Sequence, residues 1–249
     1  MKWSFDQRIR RAAELAPGNP AAADLLAFYR ELALFQKPIF EALRSSGDTD
    51  LRALAAYFTP LIELVARRGP AGLAAMGEHR LTPGLLQAAW EDGVAHGLAS
   101  DPCGHFFARV LLQPYAEYLA SRGDVQPKTE GGICPFCSSR PVAGVLRGEG
   151  DGAKKWLLCA VCSSEWPFRR VLCWNCGEEN KDKLPIYKTE QFDAIRVDAC
   201  DTCRVYLKSV DLTKDGHAVP VVDEIAGVAL DIWADENGYS KLEANLLGM

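Results

Sequence analysis

A chain of 249 residues that is 48% hydrophobic and 24% charged can bury a sizeable core, which excludes an intrinsically disordered protein. Its formal charge of −5 lacks the basic excess of a general nucleic-acid binder. No apolar run reaches the ~20 residues that span a bilayer, and Met1-Lys2-Trp3-Ser4-Phe5-Asp6 has no basic-then-apolar leader pattern, so a cytoplasmic, thiol-reducing location without membrane insertion is expected.

Residues 1–125 read as an α-helical domain. From Asp24 to Arg44, the residues Leu25, Phe28, Leu32, Phe35, Ile39 and Leu43 recur at three- and four-residue steps, the stripe of one buried helix face. Pro38 inside that stripe is expected to kink or divide the helix. Asp50 is placed to cap a second helix whose inner face is Leu51, Leu54, Phe58, Leu61 and Val65; Pro60 falls within it and Gly69-Pro70 stops it. Thr82-Pro83 has the form of a helix start and leads into Leu85, Leu86, Ala89 and Val94. Asp101-Pro102 opens another helix, followed by Phe106, Val110, Tyr115 and Leu119. These side chains read as the core of a helical bundle. Cys103 is either a small buried thiol or one whose pKa is lowered by the helix N-terminus.

Residues 126–132, with Pro127, Gly131 and Gly132, read as a linker. Eight of the nine cysteines then fall between positions 134 and 203, as four Cys-x-x-Cys pairs: Cys134/Cys137, Cys159/Cys162, Cys173/Cys176 and Cys200/Cys203. In a reducing compartment such a cluster reads as metal binding before disulfides. The first two pairs are 21 residues apart and the last two 23, with ten between the halves, an internal repeat of about 40 residues. Lys155-Trp156-Leu157-Leu158 and Ala194-Ile195-Arg196-Val197 suit strands. Leu158-Cys159-Ala160-Val161-Cys162 and Ala199-Cys200-Asp201-Thr202-Cys203 correspond, each following a strand and preceding an aromatic residue, Trp166 or Tyr206.

Two spaced pairs present four thiolates tetrahedrally to one ion. The ligand sets are therefore Cys134, Cys137, Cys159 and Cys162 in a first module, 133–170, and Cys173, Cys176, Cys200 and Cys203 in a second, 171–212. Each module is too small for a good core, and a structural ion contributes on the order of 10 kcal/mol. Two metal ions per chain are expected, zinc or iron, since all-sulfur tetrahedral sites suit both. A closed four-thiolate site has no open position for substrate. His79, His96, His105 and His217 share no ligand spacing, and no Walker loop, dinucleotide fingerprint, HExxH or nucleophile elbow occurs, so an enzyme is not expected.

Residues 213–249 read as a C-terminal acidic amphipathic helix and tail. Helical periodicity runs from Val222 to Leu247, with Ile225, Val228, Ala229, Ile232 and Trp233 on one face. Asp223, Glu224, Asp231, Asp235 and Glu236 lie mostly on the other. The fold class expected overall is α+β multidomain: N-terminal helices, two tandem zinc-ribbon-type modules and a C-terminal helix.

The run from Ile133-Cys134-Pro135-Phe136-Cys137 to Arg170-Val171-Leu172-Cys173-Trp174-Asn175-Cys176 resembles the FdhE family of formate dehydrogenase accessory proteins. So does Ala199-Cys200-Asp201-Thr202-Cys203-Arg204-Val205-Tyr206-Leu207-Lys208, and the likeness continues through Asp223-Glu224-Ile225-Ala226, Leu230-Asp231 and Gly238-Tyr239. The helical half fits more loosely, through Phe28-Tyr29, Gln36 and Leu112-Gln113-Pro114-Tyr115. The resemblance implies rubredoxin-like metal modules in a cytoplasmic protein that binds the catalytic subunit of a molybdenum- or tungsten-dependent formate dehydrogenase and supports its maturation before assembly or export.

A zinc-ribbon nucleic-acid binder and a thiol redox protein are the competing readings. The stretch from Cys134 to Lys208 carries twelve basic against ten acidic residues, a weak footprint for nucleic acid. Large side chains flank the cysteines: Phe136, Trp166, Phe168, Trp174 and Tyr206. Trp166 and Tyr206 read as roofs over the metal sites, and Trp174, Arg169 and Arg170 as contacts for a protein partner.

Overall fold

Ser4 opens the first helix, α1 (Phe5–Leu15), with a reciprocal cap: its hydroxyl accepts from the Gln7 amide N–H, and the Gln7 side chain accepts from the Ser4 N–H. The computed structural model describes residues 3–78, 82–91, 102–123, 131–150 and 152–249. The cap at Asp101, Val94, the Cys103 side chain, His79, His96 and most of the linker lie outside the described residues.

Helix α2 (Ala23–Ser46) runs unbroken through Pro38, and Gly47, at φ +71°, closes it by donating to the Leu43 carbonyl. Proline leaves the carbonyl four residues earlier without its helical donor. For Pro38 that residue is Leu34, which lies on the exposed side of the helix, where the freed carbonyl is not sealed in the core and the helix need not divide. Asp50 caps as expected, with its side chain accepting from the Arg52 N–H, but a 3₁₀ stretch, Leu51–Tyr57, comes first and α3 (Phe58–Arg68) comes after it. Pro60 thereby falls in the first turn of α3, where its missing N–H costs nothing. Gly69 ends α3. Helices α4 (Leu73–Glu78), α5 (Pro83–Glu91) and α6 (Pro102–Ser121) follow among the described residues, and the Thr82 hydroxyl accepts from the Leu85 N–H at the start of α5.

Pro114 lies inside α6, and the carbonyl it frees belongs to Val110, which is fully buried. Here no water reaches the oxygen. Gln36 of α2 donates its Nε2 to that carbonyl at 2.8 Å and to Gln113 Oε1 at 3.1 Å. The buried glutamine replaces the bond that proline removed.

Among the described residues seven strands form one sheet: β1 (Pro141–Glu149), β2 (Gly152–Cys159), β3 (Glu165–Phe168), β4 (Ile186–Lys188), β5 (Ile195–Cys200), β6 (Val205–Asp211) and β7 (Ser240–Lys241). The order is β3-β2-β1-β6-β5-β4, with β7 also on β6. Each cysteine half contributes three antiparallel strands, and the parallel pairing of Gly144–Leu146 with Ser209–Asp211 joins the halves. The first half, the helices and α7 share one core that includes Leu32, Phe107, Leu111, Val145, Leu157, Trp166 and Val222.

The C-terminal segment departs from its periodicity. It forms two helices, α7 (Pro220–Ala226) and α8 (Val228–Glu236), broken at Gly227, and then returns to the sheet as β7. Its acidic face is partly internal, because lysines stand beneath it. Glu224 is fully buried, 2.9 Å from Lys208 Nζ and ion-paired with Lys241, while Asp231 is 2.6 Å from Lys208 Nζ. Burial alone would raise the Glu224 carboxyl, but Lys208 and Lys241 pull it down to about 2. Asp223 is buried against Arg11 of α1, whereas Ile232, expected inside, is 56% exposed. A period of 3.6 marks an apolar stripe but carries no information about lysines arriving from strands elsewhere in the chain.

Candidate metal centres

Each cysteine pair sits in a tight turn at a strand boundary. Cys134 and Cys137 precede β1, and Cys159 and Cys162 lie at the end of β2; Pro141 pairs with Cys159, which brings the two turns together. The second half repeats the plan, with Cys173 and Cys176 ahead of β4 and Cys200 and Cys203 between β5 and β6. The residue after each second cysteine is left-handed: Ser138 (φ +59°), Ser163 (+53°), Gly177 (+76°) and Arg204 (+57°). In three turns the N–H of that residue donates to the carbonyl of the first cysteine: Ser138 to Cys134, Gly177 to Cys173 and Arg204 to Cys200. That reversal turns both sulfurs of a pair inward. Sequence reasoning missed these positions, since Ser, Ser and Arg carry no mark of positive φ and Gly177 alone does.

The turns gather the cysteines into the two groups expected from spacing, and within each group the sulfurs all lie within 4.8 Å of one another. In the first, Cys134 and Cys162 are 3.5 Å apart, Cys137 and Cys159 3.4 Å, and Cys137 and Cys162 3.5 Å. In the second, Cys173–Cys203 and Cys176–Cys200 are each 3.7 Å. None of these eight cysteines is in a disulfide. Four sulfurs about 2.3 Å from a common tetrahedral ion stand about 3.8 Å apart, so the second group has the dimensions of a metal site and the first is slightly tighter. Backbone amides point at the sulfurs: Val161 and Cys162 donate to Cys159 Sγ at 3.4 Å, and Asn175 and Cys176 to Cys173 Sγ at 3.4 and 3.5 Å. Such donors stabilise a thiolate. Burial opposes it, pushing Cys159 well up and Cys173 up to about 12. The donor set thus fits zinc or iron, whose positive charge would draw the protons off. Neither His105 nor His217 joins either group.

The two centres differ in exposure. Cys134, Cys159 and Cys162 are buried, whereas Cys176 is exposed and Cys203 half-buried. The first centre is held by the helices. Arg109 and Gln113 of α6 both donate to the Ala160 carbonyl, inside the Cys159–Cys162 turn, at 3.2 and 2.9 Å. In the same turn region, Ser163 Oγ donates to Glu117 at 2.6 Å, and Glu117 pairs with the buried Arg8 of α1 at 2.8 Å. Gln36 and Gln113, singled out in the helical half, form a relay from α2 to this metal turn.

The flanking aromatics face inward. Trp166 is fully buried with Nε1 donating to the Gly131 carbonyl, and Tyr206 is buried with its hydroxyl donating to Asp231. Trp174 is 8% exposed, with the Lys155 ammonium 4.4 Å from its ring centre, so it is packed between the halves and is not a displayed contact. The CxxC pattern places it beside a metal but does not give its direction. Arg169 and Arg170 are exposed; Arg169 pairs with Glu179 at 2.8 Å. Among the described residues no helix is long and apolar enough to cross a membrane.

Family models match both cysteine halves and the C-terminal helices: "FdhE, central domain" over residues 133–170 and "FdhE, C-terminal domain" over 171–247. The chain is 32% identical to the protein FdhE homolog of Aquifex aeolicus, over 81% of this chain and 72% of that one. It is 35% identical to the homolog of Pseudomonas aeruginosa, over 98% and 89% of the two chains. The crystal structure of the FdhE protein from Pseudomonas aeruginosa superposes with a TM-score of 0.77 at 25% identity, covering 98% of this chain and 95% of that one.

Proposed function

The chain belongs to the FdhE family, and from that membership we propose that it serves a formate dehydrogenase as a metal-binding accessory protein. In this reading Cys134, Cys137, Cys159 and Cys162 hold one ion and Cys173, Cys176, Cys200 and Cys203 a second, each zinc or iron. The protein acts in the cytoplasm without catalysing a reaction. It binds the catalytic subunit of a molybdenum- or tungsten-dependent enzyme while that subunit matures.

The observation that carries this is the closure of both centres. Four sulfurs converge at each, and a tetrahedral ion held by them has no position left for a substrate. What such sites supply is rigidity, which lowers the entropic cost of docking a partner. Arg169 and Arg170, exposed between the halves, are the partner contacts we propose; arginine is among the side chains that most often anchor interfaces.

The test is capture from the native host, grown anaerobically, with the tagged full-length chain. The formate dehydrogenase catalytic subunit should be retained, and Arg169→Ala with Arg170→Ala should weaken its capture about tenfold while both metals stay bound. Metal-loaded protein that retains no such subunit contradicts the proposal; capture unchanged in the double variant moves the contact off these arginines.

A further inference from the structure

The face of the sheet beneath Trp174 is polar where a core is expected. Lys155 of β2, Ser209 of β6 and Arg196 and Asp198 of β5 meet there, with side chains of Lys155, Asp198 and Arg196 only 2%, 6% and 10% exposed. Lys155 Nζ is 2.6 Å from Asp198 Oδ2, and Ser209 donates to the same oxygen at 2.7 Å. The backbone leaves room for this cluster. A Cβ on Gly144 would stand 2.1 Å from Ser209 Oγ and 3.3 Å from Lys155 Cε. Trp174 roofs it from between Cys173 and Cys176, and its buried Nε1 has no hydrogen-bond partner among the described residues. The ring is therefore placed by packing and by the ammonium at 4.4 Å from its centre.

Two buried cations face one carboxylate, and Arg170 adds a third cation at the rim. An uncompensated buried positive charge is costly. A divalent ion held by four thiolates carries a double negative charge, and Trp174, whose ring centre lies 4.4 Å from the Lys155 ammonium, stands in the chain between two of those four cysteines, Cys173 and Cys176. Resting on the metal reading above, we propose that Lys155 is the counter-charge of the second centre, a residue of the first half that sets the metal affinity of the other.

The first centre has a matching arrangement. Arg109, with its side chain 3% exposed, reaches from α6 to the Ala160 carbonyl within the Cys159–Cys162 turn. Each centre thus receives a buried cation from the part of the chain that precedes it. Burial pushes Lys155 down while Asp198 and the Cys173 sulfur draw it back up; for Arg109 the opposing groups are Glu243 and Cys159.

The plain alternative is that Lys155 only anchors Asp198. Lys155→Met and Asp198→Asn both break that salt bridge, but they change the charge beside the metal in opposite directions. The assay is competition of a chelator for cadmium bound to the full chain, read by sulfur-to-metal absorption, with the second centre identified as the component lost in Cys176→Ser. Lys155→Met should lower affinity at that centre about tenfold, the strength that moves a pKa by about one unit. Asp198→Asn should raise it, and the first centre should change in neither. Lys155→Arg, which keeps the charge, should stay near wild type, and it carries the comparison with Lys155→Met should Asp198→Asn not fold. Weakening by both bridge-breaking variants, or equal weakening by Met and Arg at position 155, overturns the counter-charge alone. Wild-type uptake of fewer than two equivalents overturns the metal reading and this assignment with it.

Discussion

Replacing Gln36 with leucine should expose how far a single buried amide holds the helices and the first centre together. Its Nε2 satisfies the Val110 carbonyl orphaned by Pro114 and steadies Gln113, which in turn grips the Ala160 carbonyl of the metal turn. Gln36 is 1% exposed and Val110 fully buried, so water cannot take over. Two lost hydrogen bonds at roughly 1 kcal/mol each, and a carbonyl left bare, put the cost at about 2–4 kcal/mol. A sharper discrimination comes from rescue. Pro114→Ala restores a peptide N–H that can reach the Val110 oxygen, so it should help the Gln36→Leu protein more than it helps the wild type. Urea unfolding of the metal-loaded wild type, both single variants and the double variant gives the coupling directly, expected at about 1 kcal/mol or more. Additivity within about 0.5 kcal/mol would break the link to Pro114 and reduce Gln36 to an ordinary buried polar residue.

Exposure of Cys176 against burial of Cys159 predicts stepwise metal loss: a mild chelator should empty the second centre first, and simultaneous release would contradict the asymmetry. A Cβ on Gly132 would fall 1.9 Å from the Trp174 carbonyl, so Gly132→Ala should destabilise by about 1–3 kcal/mol and loosen the second centre, as thermal unfolding and chelator competition would show. In the metal-free chain burial holds the Cys159 and Cys173 thiols protonated at neutral pH, Cys173 up to about 12. Metal uptake must expel those protons, so affinity should rise with pH and fall on acidification. Calorimetry in two buffers of different ionisation enthalpy measures the protons released, and none released would contradict it.

The centres were legible because their signal is local and chemical: four Cys-x-x-Cys pairs, their grouping, and a strand ahead of each second pair. Helix starts at Asp50 and Thr82 were legible for the same reason, since a capping side chain acts within three residues of itself. What stayed hidden is non-local. The parallel pairing of Gly144–Leu146 with Ser209–Asp211 joins strands some 60 residues apart and leaves no mark in either. Asp223 and Glu224 read as solvent-facing because a helix pattern cannot announce Arg11, Lys208 and Lys241 arriving from α1, β6 and β7. Trp174 read as a displayed anchor because Lys155, the residue that draws it inward, lies in the other half.

The metal-binding role proposed for this chain rests on its eight clustered cysteines forming two closed four-sulfur sites. Elemental analysis combined with X-ray absorption on gently purified protein reads both the number of ions and their ligands. Two metal atoms per chain are expected, zinc and iron summed, each with four sulfurs at about 2.3 Å and no lighter ligand. A reproducible single atom per chain, or a shell containing nitrogen or oxygen, would contradict the closed sites.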